Sequence, residues 1–94
     1  MSQITVRIPT PLRSHTGGAG EIAAVGATVG EVLEAVAARH EGLRRYLLDP
    51  SGEVRRFVNV YLGERNIQAL DGLATPVGDA AVIHIVPAVA GGVS

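Results

Sequence analysis

Thr28-Val29-Gly30-Glu31-Val32-Leu33-Glu34-Ala35-Val36-Ala37-Ala38-Arg39-His40 is the stretch from which the rest of the architecture follows. Thr28 and Glu31 stand three apart, the spacing at which a hydroxyl and a carboxylate satisfy free amides at a helix start. From there Val29, Val32, Leu33, Val36, Ala37 and His40 recur at i, i+3, i+4 and i+7, while Glu31, Glu34, Ala38 and Arg39 fall on the opposite side. A helix with one apolar stripe must lie across a sheet. Gly42 is expected to end it, because glycine takes the left-handed conformation that closes many helices.

Upstream, Ile4, Val6 and Ile8 alternate with Thr5 and Arg7, the period of a half-buried strand that Pro9 and Pro11 would terminate. Residues 12–20 carry three glycines and read as a turn into a second strand over 21–25, forming a hairpin. Downstream, 43–48 reads as another turn or short helix, and Asp49-Pro50-Ser51-Gly52 as a strong turn. The longest strand is expected over 54–62, with Val54, Val58, Val60 and Leu62 on one face and Arg55, Phe57, Asn59 and Tyr61 on the other. Gly63-Glu64-Arg65 turns into a short strand at 66–68, and a loop holds Leu70, Leu73 and Pro76. In the last strand, 81–86, Ile83 and Ile85 point inward and His84 and Val86 outward. Two strands, a helix and three more strands in under 90 residues is the order of an α+β β-grasp, in which a mixed sheet wraps one main helix. The domain is expected over 1–87, with a thin flexible tail over 88–94.

Composition removes several kinds of chemistry. Ninety-four residues make one domain with one modest core. The formal charge is −1, and neither sign dominates as nucleic acid or an anionic membrane would require. No stretch nears the roughly 20 apolar residues of a membrane span and the start is unlike a signal peptide, which points to the cytoplasm. There is no cysteine, so no side chain can serve as a thiol nucleophile, carry a persulfide or ligate zinc through sulfur. His15, His40 and His84 are far apart in sequence and have no metal-ligand spacing, so no metal is expected.

The chain closes on Pro87-Ala88-Val89-Ala90-Gly91-Gly92-Val93-Ser94. A Gly-Gly pair behind an apolar strand reads two ways: as a fraying end, or as a tail without Cβ atoms, thin enough for a narrow channel in another protein. The second reading needs a docking face, since an extended chain from Pro87 to Gly92 spans at most about 17 Å. Phe57, Tyr61, His84 and Val86, outward on adjacent strands, are the candidates for partner binding. The competing reading has 43–48 covering Phe57 and Tyr61, with His84 merely solvated. Arg44-Arg45 and Arg55-Arg56 could steer acidic partners or simply be solvated.

Together, Arg56-Phe57-Val58-Asn59-Val60-Tyr61-Leu62-Gly63, Asp71-Gly72-Leu73-Ala74-Thr75, Ile8-Pro9-Thr10, Thr16-Gly17-Gly18 and the Ala90-Gly91-Gly92 tail resemble the ThiS/MoaD family of ubiquitin-like sulfur carriers. Within it, the nearest likeness is to the carrier of actinobacterial cysteine biosynthesis. The resemblance implies a protein cosubstrate, with no bound cofactor and no catalytic residue of its own. Gly92 would be adenylated by an ATP-dependent, E1-like activating enzyme and converted to a thiocarboxylate. A cysteine-synthase-type pyridoxal-phosphate enzyme would accept the sulfur. Thiamine, molybdopterin and secondary-metabolite routes use the same kind of tail. A modifier conjugated to lysines through Gly92, or an interaction module with incidental glycines, are the other readings.

The sequence departs from that pattern twice. Val93 and Ser94 follow the second glycine, so the resemblance implies cleavage between Gly92 and Val93 by a JAMM/Mov34-type zinc protease, unless the extra residues are a scar or a degenerate end. At Asp79-Ala80-Ala81 many relatives have an Asp-Gly-Asp turn. Alanine there disfavours a turn with positive φ.

Overall fold

The structure, a computed structural model, describes residues 3–79 and 82–87. The expectations for Ala80, Ala81 and the tail 88–94 lie outside them. Helix α1 (Val29–Arg39) starts at the expected cap: Thr28 is extended, with φ −126° and ψ 164°, and its Oγ1 accepts from the Glu31 N–H at 3.2 Å. The Glu31 carboxylate reaches one residue further back than a standard box, accepting from Ala27 N at 2.9 Å. Val29, Val32, Leu33, Val36 and Ala37 are all fully buried, so the stripe is the inner face of the helix.

The stripe stops one residue short of expectation. His40, half-buried, breaks the helix with φ −140° and ψ 88°, and the chain re-enters a second helix, α2 (Glu41–Leu47). Gly42 therefore does not end α1; it lies inside α2, where an added Cβ would come within 2.7 Å of His15 Nδ1. Glycine serves there to admit a close neighbour rather than to permit a left-handed turn. Leu43 and Leu47 bury completely under α1. An exposed Arg44–Glu34 pair at 2.8 Å links the two helices.

Five strands form one mixed sheet in the order β2-β1-β5-β3-β4. β1 (Gln3–Arg7) and β2 (Glu21–Val25) are the expected antiparallel hairpin. β5 (Val82–Pro87) lies parallel to β1 and antiparallel to β3 (Val58–Leu62), which pairs in turn with β4 (Arg65–Asn66). This is the β-grasp. Ile4, Val6, Ile22, Val58, Val60, Ile83 and Ile85 supply the buried face on which α1 rests. Each such side chain contributes about 1.5–3 kcal/mol by leaving water. The start of α1 is also tied down, since Val29 N donates to Thr75 O at 2.9 Å and Val77 N to Ala27 O at 3.0 Å.

Three sequence expectations are corrected. Residues 12–20 are more than a turn: Pro9 and Pro11 open a 3-10 helix over Thr10–Thr16 that inserts Leu12, 1% exposed, into the core. Only then does the chain reverse, at Gly17 and Gly18 with φ 67° and 91°. The strand expected over 54–62 is β3 alone. Val54 instead bridges Leu48, and Arg55 N donates to Leu47 O at 2.8 Å, so residues 49–53 form a clasped loop before the sheet begins. Asp49 organises that loop by accepting from Ser51 N, Ser51 Oγ and Glu53 N. The Ser51 hydroxyl foremost, then the Glu53 amide, hold its carboxyl below the ordinary carboxylate value. The short strand ends at Asn66, whose Oδ1 accepts from Gln68 N at 2.9 Å and turns 67–69 into a 3-10 segment. The longest strand is consequently β5.

Between hairpin and helix, a Cβ at Gly26 would lie 2.8 Å from Val32 N and 2.9 Å from Glu31 Cβ. Val32 N is backbone, and Glu31 Cβ is bonded directly to the backbone of the same helix, so neither can yield without moving α1. Gly26→Ala is expected to destabilise the domain by about 2 kcal/mol, in the range of core overpacking, read as a lower midpoint in urea. A midpoint at or above wild type would remove this steric account.

Candidate docking surface at the root of the C-terminal segment

The alternation of β3 and β5 puts Asn59, Tyr61, His84 and Val86 on the sheet face away from α1. The register pairs Tyr61 directly with His84, Asn59 with Val86 and Val58 with Pro87. Three of the four predicted partner-binding residues are thus brought together. Val86 is 40% exposed, and Tyr61 and His84 are half-buried. A continuous row crosses the sheet from Glu21 through Arg7, His84 and Tyr61 to Asn66, with Arg7 Nη1 3.6 Å from Glu21 Oε2. His84 stands between a guanidinium and a phenol.

Phe57 reaches the same region by another route. It is not on a strand but in the turn before β3, where Val58 N donates to Arg55 O at 3.1 Å. At 61% exposure it is the most solvent-exposed large apolar side chain among the described residues. The 43–48 segment therefore does not cover it. Phe57 borders a hollow of about 140 Å³ with Asp49, Val54, Arg55 and Arg56. Arg55 is held in place, its Nε donating to Arg45 O at 2.6 Å, whereas Arg56 is exposed. Because Val58 faces Pro87 across the sheet, Phe57 sits one residue from the point where the chain leaves β5.

An exposed aromatic side chain, one exposed aliphatic side chain and neighbouring arginines are the kinds of group that protein interfaces use. Among the described residues no group of three His, Cys, Asp or Glu side chains could hold a metal ion. His15 tilts against Tyr46 with ring centroids 6.3 Å apart, beside Gly42, which is a packing role. No helix is long and apolar enough to cross a membrane, among the same residues. Ala90, Gly91, Gly92 and Val93 lie outside them. Arg7 is the member of this face that sequence reading left out. Its outward phase was visible in the alternation, but its place beside His84 depends on a parallel pairing between strands at opposite ends of the chain.

A family model described as the ThiS family matches residues 6–92. The chain is 44% identical over 91 residues to "Sulfur carrier protein CysO" of Mycobacterium tuberculosis, covering 95% of this chain and 98% of that protein. It is 42% identical over 66 residues to "Small archaeal modifier protein 3" of Haloferax volcanii, covering 70% and 71%. A chain in the crystal structure of the Amycolatopsis orientalis BexX/CysO complex superposes with a TM-score of 0.85 at 43% identity, covering 95% of this chain and 99% of that one.

Proposed function

The chain belongs to the ThiS family, and on that premise we propose that it is a ubiquitin-like sulfur carrier acting in the cytoplasm, a protein cosubstrate rather than an enzyme. The observation that carries this reading is the near full-length identity to a sulfur carrier, over a family match that runs to Gly92. With the residues after Gly92 removed by a JAMM/Mov34-type protease, the glycine carboxylate attacks the α-phosphorus of ATP in an E1-like enzyme and pyrophosphate departs. Sulfide then attacks the acyl carbon, AMP leaves, and Gly92 ends as a thiocarboxylate; a persulfide in its place gives an acyl disulfide, from which a second thiol releases the thiocarboxylate while the two thiols leave joined as a disulfide. A main-chain thiocarboxylate accounts for how a chain with no cysteine could carry sulfur. The acceptor is a cysteine-synthase-type pyridoxal-phosphate enzyme, with cysteine the product.

The likeness to a small archaeal modifier supports a second reading, in which a lysine amine replaces sulfide as the nucleophile. Intact-mass analysis of the chain from its native cells separates the two. Exchange of one oxygen for sulfur at Gly92 supports the carrier, a ladder of heavier conjugates the modifier. A chain unmodified throughout, with its last residues still attached in active cells, overturns both.

The docking face in this proposal is the outer side of β3 and β5, next to Pro87. Val86→Arg places a charge where an exposed aliphatic side chain stands opposite Asn59, and leaves an exposed position exposed. It is expected to weaken binding to the activating enzyme about tenfold or more, the loss typical of a buried contact at an interface centre, with the thermal midpoint unchanged. An undiminished thiocarboxylate yield would remove this face from the proposal.

A further inference from the structure

β2 is an edge strand. Ile8 N donates to Gly20 O at 2.8 Å, which fixes the phase of the hairpin: residues 20, 22 and 24 spend their backbone groups on β1, and those of Glu21, Ala23 and Val25 point away from the sheet. These residues are exposed, Val25 to 48%. The strand has no Lys or Pro, the residues that usually spoil an open edge. Among the described residues one group meets that outward row: Arg39, at the last turn of α1, reaches round the edge and donates from Nη1 to Ala23 O at 3.2 Å.

We propose that the outer edge of β2 is a self-association surface, that its occupant is the β2 of a second copy, and that Arg39 holds it closed by occupying the central carbonyl. The strand is self-complementary about a two-fold axis through Ala23. In that antiparallel register Ala23 faces Ala23, while Glu21 faces Val25 of the other copy. Each facing pair exchanges both backbone bonds. No like charges oppose one another, and the residue on the axis has the smallest side chain that still favours a strand over glycine. Glu21 keeps Arg7 as its partner on its own sheet. Because β1 separates β2 from β5, such a dimer leaves Pro87 and everything after it free. The proposal is independent of the sulfur-carrier reading.

The test is sedimentation equilibrium across a concentration series on the full chain. Arg39→Ala should tighten self-association about three- to tenfold, the yield of one exposed hydrogen bond no longer competing for Ala23 O. Ala23→Lys, added to Arg39→Ala, should abolish the gain by setting two ammonium groups against each other on the axis. Its exposed position makes it tolerable, and a thermal melt checks folding. Ala23→Pro gives a second route, since it removes an outward N–H without touching the β1 ladder. Arg39→Ala associating no more tightly than wild type, or association that survives in a folded Ala23→Lys or Ala23→Pro variant, would overturn the proposal.

Discussion

A chain that ends at Gly92, given its activating enzyme, ATP and a sulfide source, is expected to exchange one oxygen for sulfur, and a chain that continues through Val93 and Ser94 to exchange none. The difference is one of kind. Adenylation needs a free carboxylate oxygen to attack phosphorus, and in the longer chain the carbonyl carbon of Gly92 is committed to an amide. An amide neither attacks ATP nor has a leaving group that sulfide could displace at neutral pH. The two chains share all of the described residues, 3–79 and 82–87, and with them the core that those residues form. Mass spectrometry of the two chains under identical conditions reads the outcome. Equal sulfur incorporation would show that the reacting acyl group is not at Gly92. Loss in both, with binding to the enzyme intact, would point to the modifier chemistry or to none.

What could be read in advance and what could not divides along one physical line. The β1–β2 hairpin and the apolar stripe of α1 were legible because each is a local period, of two or of 3.6 residues, repeated often enough to be unambiguous. Outward placement of His84 and Val86 followed from the same alternation. Elements that misled were those in which a long-range contact overrides a local preference. Gly42 looks like a helix end, yet tolerates the interior of α2 because His15, distant in sequence, needs its missing side chain. Val54 fits a strand, yet pairs with Leu48 to close the loop that Asp49 caps. Pro9 and Pro11 follow the end of β1 as expected, but residues 12–20 are not a plain turn, since a 3-10 helix over Thr10–Thr16 buries Leu12. For the docking face, the residue types were visible but not their adjacency. Tyr61 meets His84, and Phe57 reaches the root of the tail, only through the β3–β5 register. Of the tail itself, the sequence carries the whole argument.

Leu33→Ala is expected to cost about 2–5 kcal/mol, much of the roughly 5–15 kcal/mol that holds a domain of this kind together. Leu33 has no exposed surface and sits mid-stripe on α1, within the cluster that joins both strands of the hairpin to β3 and β5. Truncation removes apolar contact and leaves a cavity, and the backbones around it are fixed by the sheet on one side and by the Thr75 and Val77 hydrogen bonds on the other. Collapse into the space is therefore limited, which favours the upper half of the range. The adjacent residue provides the control. Glu34 is exposed and pairs with Arg44 at 2.8 Å, and an exposed ion pair contributes about 1 kcal/mol or less. If the stripe rather than the surface charge anchors α1, Leu33→Ala should lower the thermal midpoint by more than about 10 °C, at about 4–8 °C per kcal/mol for a domain of this length. Glu34→Ala should move it only slightly. Urea titrations of both variants with equal slopes would confirm that stability alone has changed. A Leu33→Ala midpoint as high as that of Glu34→Ala would mean that α1 is held by something other than the face it turns to the sheet.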